Sequence, residues 1–301
     1  MSHGLAHTPY ADGHKPFSIG LAPLDLADWI EPDERLLADL AEKDRLFAER
    51  RDIVFAAEPD TVEAQREVLA LLLAHLTERF PEIWRIDPDG TVAIAGGRRV
   101  DPAADAGVPL LAAARLVQED LVLMRRGPDG WRLAAAALCF PSAWSLTGKF
   151  GASLDGLHGN VPGYAGAMGT RMARIFDSLR LEHPVWRLNW SIYPDDRLHH
   201  PESKEQPRAW FGGADDFAAS AFVRVERQTL RRLPTSGDIL FTIRIHVDPM
   251  LAFRRHPDGA RMASGLRDRL LSLDPAQLTY KGLAAHRDRL AEALQRIAAG
   301  S

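Results

Sequence analysis

LVLMRRGPDGWRLAAAALCF, residues 121–140, is the stretch on which the fold turns. Two apolar runs, 121–125 and 131–140, flank Gly127-Pro128-Asp129-Gly130. Proline presets φ, aspartate bonds its own backbone and glycine accepts positive φ, so this spacing predicts an antiparallel strand pair joined by a tight turn. Pro141 closes the second strand, because it has no N–H to give a ladder. Downstream, 148–179 reads as short helices broken by glycines, and three further strands are predicted at 186–193, 221–228 and 238–247. The last two are joined by Leu233-Pro234-Thr235-Ser236-Gly237. In the final strand Ile239, Phe241, Ile243, Ile245 and Val247 alternate with Leu240, Thr242, Arg244 and His246, which marks two distinct faces.

Upstream of the hairpin the period changes from two to 3.6. Leu36, Leu37, Leu40, Leu46 and Phe47 predict a helix over about 33–51. Val62, Leu69, Leu72, Leu73, Leu76 and Phe80 predict a second, with Asp60 as N-cap, Glu63 completing a capping box and Pro81 as the stop. A third is expected near 108–119, and the last 40 or so residues return to helix. Residues 1–32, rich in Pro, Gly and His, read as an extended arm carrying His3, His7 and His14. The expectation is an α+β chain in which one antiparallel sheet is covered on one face. Its parts are an N-terminal arm and helical region over 1–110, the sheet core over 111–255 and C-terminal helices over 256–301.

The 301 residues are 46% hydrophobic, enough for a full core, and the net charge of −4 argues against a general nucleic-acid binder. The arginine pairs Arg231-Arg232 and Arg254-Arg255 read as solvated surface. A lone cysteine, Cys139, rules out an intrachain disulfide and any all-cysteine metal site, and fits a reducing cytoplasm. The N-terminus lacks a signal-peptide h-region, and no apolar run is long enough to span a bilayer. GxGxxG, Walker A, HExxH and GxSxG patterns are all missing, and Gly96-Gly97 reads as a turn. Electrons for any redox chemistry must therefore come from another chain.

A series of blocks carries a specific resemblance. Gln118-Glu119-Asp120-Leu121, Cys139-Phe140-Pro141-Ser142 with Trp144, Lys149 and Gly151, and Leu157-His158 with Val161-Pro162-Gly163-Tyr164 come first. Arg187-Leu188-Asn189-Trp190, Arg224-Val225-Glu226-Arg227-Gln228-Thr229-Leu230 and Leu240-Phe241-Thr242-Ile243-Arg244 follow, with Pro16-Phe17 and Trp29-Ile30 upstream. In this order, over most of 16–283, the chain resembles the haem-binding alpha subunit of the haem-dependent oxidative N-demethylase (dimethylamine monooxygenase) family. It departs from that family at Asn160, two residues after His158, where the family carries proline.

The resemblance implies a PAS-like antiparallel sheet core with a haem pocket, elaborated by N- and C-terminal helices. It implies haem b ligated by His158, the histidine of the short-helix region. Cys139 and His246 are rival ligands by chemistry, while His199-His200 reads as a solvated loop. Arg224, Arg227 and Arg244 are expected either to neutralise haem propionates or to form cross-strand pairs with Glu226; strand alternation sends Arg224 and Arg227 to opposite faces. Asn189 and Trp190 are further candidates around the cofactor. Gln228 to position dioxygen or water, Tyr164, and Glu119 to meet an ammonium group are the candidate catalytic residues. The implied reaction is oxidative N-demethylation of a small secondary amine, dimethylamine-like, to formaldehyde and the demethylated amine. The implied partners are reductase subunits carrying flavin, iron–sulfur and NAD(P)H sites, with no nucleic acid and no membrane. A haem-binding PAS-type sensor or carrier without turnover is the alternative from another class, and a scaffold that has lost its haem is a third.

Overall fold

The computed structural model describes residues 5–11, 17–164, 166–202, 210 and 214–300; His3, His14 and Pro16 lie outside them. Strand β1 (Ala22–Pro23) precedes helix α1 (Leu36–Glu49), the single turn α2 (Arg51–Val54), strand β2 (Phe55–Ala57) and helix α3 (Val62–Arg79). A small sheet follows, made of β3 (Trp84–Ile86), β4 (Val92–Ile94) and β5 (Arg98–Val100), and then helix α4 (Pro109–Ala114). The hairpin of the 121–140 stretch forms as β6 (Asp120–Gly127) and β7 (Gly130–Ala137). Three helices come next, α5 (Leu146–Lys149), α6 (Leu154–His158) and α7 (Ala167–Ser178). Strands β8 (Val185–Tyr193), β9 (Phe222–Arg232) and β10 (Ile239–Pro249) complete the sheet, and α8 (Gly259–Leu271), α9 (Pro275–Lys281) and α10 (Arg287–Ala298) end the described chain. The architecture is α+β, with every sheet pairing antiparallel.

The large sheet has seven strands in the order β1-β8-β9-β10-β6-β7-β2. Its first five buried positions in β6, Asp120 to Met124, have no exposed face, as befits a strand in the middle of a covered sheet. The last hairpin turns at 233–237 with Leu233 N bonded to Asp238 O at 2.8 Å and Gly237 in left-handed conformation. The strands β1 and β2 are too short to show a period, and the upstream segment supplies them to the two edges of the sheet.

Three expectations fail for identifiable reasons. The capping box at Asp60 and Glu63 does not form. Residues Pro59–Thr61 make a 3-10 turn, Asp60 pairs with Arg125 Nη1 at 3.0 Å, and Glu63 pairs with Arg66. The helix expected at 108–119 stops at Ala114, because the carbonyls beyond are taken by a buried cation: Lys43 Nζ donates to Ala114 O at 3.2 Å, to Val117 O at 2.9 Å and to Glu119 O. Finally, the sheet is covered on both faces rather than one. The face carrying Arg227, Arg231 and Arg244 is covered by the segment around Trp29, by α1 and α3, and farther along by the C-terminal helices that pack on Trp190, Val223 and Val225. The other face, carrying Gln228, Leu230, Phe241 and Ile243, looks towards α6 and α7 across a cavity. No helix among the described residues is long and apolar enough to cross a membrane.

Candidate functional site

Residue parity builds the floor of that cavity. Register sets Arg187 opposite Gln228 and Gln228 opposite Ile243, while Asn189 faces Glu226 and Leu230 faces Phe241. These side chains share one face because strand residues alternate. The helical wall brings Leu154, Leu157, Met168, Met172 and Phe176, and Val122, Met124 and Leu133 come from the central hairpin. The volume is about 900 Å³. A mostly apolar cavity of this size with a few converging polar groups is the usual form of a cofactor site, about 300–1,000 Å³.

His158 stands at the C-terminal end of α6 and lines the cavity. Ser153 starts that helix as N-cap, its hydroxyl accepting from Gly156 N at 3.2 Å. His158 Nδ1 lies 2.9 Å from the carbonyl of Leu154, one turn back. A carbonyl only accepts, so Nδ1 carries the proton and Nε2 keeps the lone pair. Burial, with the Arg187 and Lys149 charges adding to it, lowers the imidazole pKa and keeps the ring neutral. A neutral imidazole whose outer nitrogen donates to a carbonyl is the arrangement that metal-ligating histidines adopt. The ring stacks on Tyr164 with centroids 5.1 Å apart and planes 16° from parallel, and Tyr164 Oη donates to Asp155 Oδ1 at 3.0 Å. Burial and Asp155 raise the Tyr164 hydroxyl to about 12, so it stays protonated. At Asn160 the chain still turns: Val161 N bonds to His158 O at 2.8 Å.

The cavity also holds a cation and a carboxylate. Arg187 Nε is buried and meets no hydrogen-bond acceptor among the described residues. Burial pulls its pKa down and Glu226 opposes this. Glu226 in turn accepts from Gln228 Nε2 at 2.8 Å. A buried guanidinium with open donors is matched by a ligand carboxylate, which it can hold bidentately.

The structure brings His158, Tyr164, Asn189 and Gln228 to this cavity and places the other candidates elsewhere. Arg224 is buried at the end of the sheet, with Nε on Ser142 Oγ at 2.9 Å and Nη2 on Phe140 O and Leu198 O, both at 2.9 Å. Arg227 points to the opposite face, where it bonds Trp29 O, Asp28 O and Glu31. Arg244 stands beside it, 2.6 Å from Asp33 and 3.6 Å from Asp39. Arg227 and Arg244 are thus spent on acceptors of the opposite face, while Arg224 is held by Ser142 and Phe140 at the edge of the cavity without itself lining it. Trp190 packs with the C-terminal helices. Glu119 is buried behind the sheet and accepts from Glu31 N at 3.2 Å.

Other readings change as well. Cys139 is fully buried and burial raises its thiol pKa, so it offers no thiolate. His200 is buried against Tyr193, and His199 Nδ1 bonds Cys139 O at 2.7 Å, so that pair is not a solvated loop. His7 is docked on the sheet, 2.7 Å from Glu31. Arg231 lies over the Trp29 ring and Arg232 Nε donates to Leu179 O at 2.6 Å, so both are structural. Sequence reasoning gave no role to Arg187 and read Glu226 only as a cross-strand ion-pair partner, yet both line the cavity. Their signal was present in the strand parity that puts them in line with Asn189 and Gln228.

These side chains fit a haem: an apolar enclosure, one neutral imidazole with its tautomer set, and one buried guanidinium for a carboxylate. The family described as haem-dependent oxidative N-demethylase, alpha subunit-like, matches the chain over residues 20–291.

Proposed function

The chain belongs to the haem-dependent oxidative N-demethylase alpha subunit-like family, and we propose that it is the haem-binding component of an enzyme that demethylates a small secondary amine. His158 supports this reading most directly. Its Nδ1–H is committed to Leu154 O, which leaves Nε2 with a free lone pair that would hold the iron at the wall of an apolar cavity. In the proposed complex His158 holds the iron of haem b, and Arg187 pairs with a propionate in place of the three arginines first considered. Two strands, short helices and three strands surround the site, the order expected of a PAS-like core.

When bound, haem supplies the redox chemistry: with dioxygen, two electrons and two protons, an N-methyl group leaves as formaldehyde and the oxygen balance leaves as water. The residues of the chain position and protect. Leu154 O holds the imidazole tautomer, Met172, Phe176 and Phe241 give the cavity an apolar lining, and Gln228 fixes Glu226 on the floor. Glu226 accepts an N–H from the amine, the task first assigned to Glu119, and Asn189 opposite it offers a second polar contact. Electrons come from partner subunits carrying flavin, iron–sulfur and NAD(P)H sites, and dimethylamine is the proposed substrate.

The test is an absorption spectrum of the chain expressed with haem supply. We expect a strong Soret band that is lost or displaced in His158→Ala, and formaldehyde release from dimethylamine once a reductase is added. A Soret band indifferent to His158→Ala removes the ligand assignment. Haem binding without formaldehyde from any small methylamine leaves a carrier or sensor instead.

A further inference from the structure

On the face of the sheet away from the cavity, three side chains from distant parts of the chain converge: His7, Glu31 and His246 of β10. His7 Nε2 is 2.7 Å from Glu31 Oε2, and His246 Nε2 is 3.5 Å from the same oxygen. The two imidazoles meet edge to face with centroids 5.0 Å apart. All three ligand atoms lie within 4.8 Å of one another.

Hydrogen bonding alone leaves this cluster incomplete. The His7 contact is a good hydrogen bond, but the buried His246 Nε2 reaches the same oxygen only at 3.5 Å, a long and poorly aligned contact. A buried imidazole nitrogen that reaches its acceptor only at that length is weakly satisfied. A cation between the three atoms would engage all of them. In a tetrahedral site with bonds of about 2.0–2.1 Å, ligand atoms sit about 3.3 Å apart, and the observed separations bracket that spacing.

The surroundings are built as a ligand shell. Arg227 Nε holds the other carboxylate oxygen, Glu31 Oε1, at 2.8 Å and so orients Oε2 towards the histidines. Glu119 Oε1 accepts the Glu31 backbone N–H at 3.2 Å, fixing the main chain behind it. Of the two nearby guanidinium groups, Arg244 is paired with Asp33 and Asp39, and Arg227 shares the Glu31 carboxylate with the proposed ion. Asp248 lies close enough to His7 to interact with it electrostatically and adds negative charge. The Glu31 and His7 side chains are 28% and 16% exposed, so water can fill a fourth position.

We propose that His7, Glu31 and His246 bind a divalent cation of the zinc class, with two imidazoles and one carboxylate as ligands and water completing the site. Two nitrogens and one oxygen suit a borderline ion such as Zn²⁺ or its spectroscopic substitute Co²⁺ and do not suit Mg²⁺ or Ca²⁺. The ion ties the amino-terminal segment and the segment around Glu31 onto β10, behind the floor of the haem cavity and independent of His158.

The experiment titrates Co²⁺, and then Zn²⁺ in competition, into the full chain loaded with haem. We expect one ion per chain, a Co²⁺ ligand-field spectrum of a low-symmetry four-coordinate site, its displacement by Zn²⁺, and a higher Tm with Zn²⁺ than with Mg²⁺. Loss of even an outer-shell partner typically weakens metal sites about 10–100-fold, so Glu31→Gln and His246→Asn should each weaken binding at least about 100-fold. The milder His7→Gln, on the arm, should do the same with the fold intact, read from an unchanged Soret band. His158→Ala should leave Co²⁺ binding as it was, which separates this site from the haem reading. Binding that survives all three variants, or no stoichiometric Co²⁺ binding by the native chain, overturns the proposal.

Discussion

Arg187 and Arg244 sit two strands apart and do different work, because one faces the cavity and the other does not. Both carry a buried Nε without an acceptor among the described residues, but the two Nη nitrogens of Arg244 meet Asp33, Asp39 and the Ile245 carbonyl, whereas Arg187 has the charge of Glu226 near it. Arg187→Gln should therefore release haem about 10–100-fold more readily, since a hydrogen bond to a charged group is worth about 1.5–3 kcal/mol. Arg244→Gln should keep haem affinity and lower stability by about 3–5 kcal/mol, as breaking a buried ion pair does. Haem titration and urea denaturation of both variants check the contrast. His75 gives a pH effect at the same scale. Its ring packs between Trp29 and Phe80, and burial, helped by the Arg231 and Arg79 charges, lowers its pKa to about 4. The unfolded chain accepts a proton near its ordinary value of about 6.5 and the folded one refuses it, so this group favours the fold above that pH. The contribution is lost as pH falls from about 6.5 to about 4. His75→Phe should flatten that part of the acid dependence of the urea midpoint; an unchanged slope would show that His75 plays no part in it. None of these residues announces its task in the sequence, where an arginine is only an arginine and its partner lies dozens to hundreds of residues away.

At the scale of elements, α9 closes one side of the cavity with Thr279 and Tyr280 and depends on local chemistry to do so. Asp274 accepts from Gln277 N at 2.8 Å, the Gln277 side chain returns to Asp274 N at 3.2 Å, and Gly282 ends the helix in left-handed conformation. Asp274→Ala should cost about 1 kcal/mol and speed amide exchange within α9, with other helices unaffected. That capping box is visible as Asp-Pro-Ala-Gln in the sequence and forms, whereas the one read at Asp60 and Glu63 does not. The difference is tertiary. Among the described residues Asp274 bonds only within its own capping box, while Arg125 takes Asp60. The five longest strands were legible because each runs for at least eight residues, long enough for an alternation or a flanking turn to show. The three-residue strands β2, β3, β4 and β5 are shorter than any period that could reveal them.

For the whole molecule, the proposed use of the cavity predicts that haem and stability are linked. A ligand that binds only the folded chain stabilises it by about 4 kcal/mol at a free concentration of about a thousand times Kd. Haem-loaded protein should therefore melt well above the haem-free chain. His158→Ala should lose most of that increment while the haem-free forms melt together. Equal Tm values for loaded and unloaded native chain would mean that haem does not use this enclosure. The same enclosure explains why both faces of the sheet are covered. The upstream and C-terminal helices bury one face outright, and the short helices are held off the other to leave the cavity.

The sequence by itself determined the local order of elements around the 121–140 hairpin, the parity of each long strand, the single buried thiol and the ordered blocks that mark the family, because these depend on neighbours a few residues apart. Only the tertiary structure decided which arginine faces the cavity. Arg187, Arg224, Arg227 and Arg244 are alike in one dimension, and what separates them is the carbonyls and carboxylates of remote segments that three of them meet, while Arg187 lines the cavity beside Glu226. The meeting of His7, Glu31 and His246 is of the same kind: three unremarkable residues in sequence, brought within bonding range by the packing of an arm and a turn onto one strand.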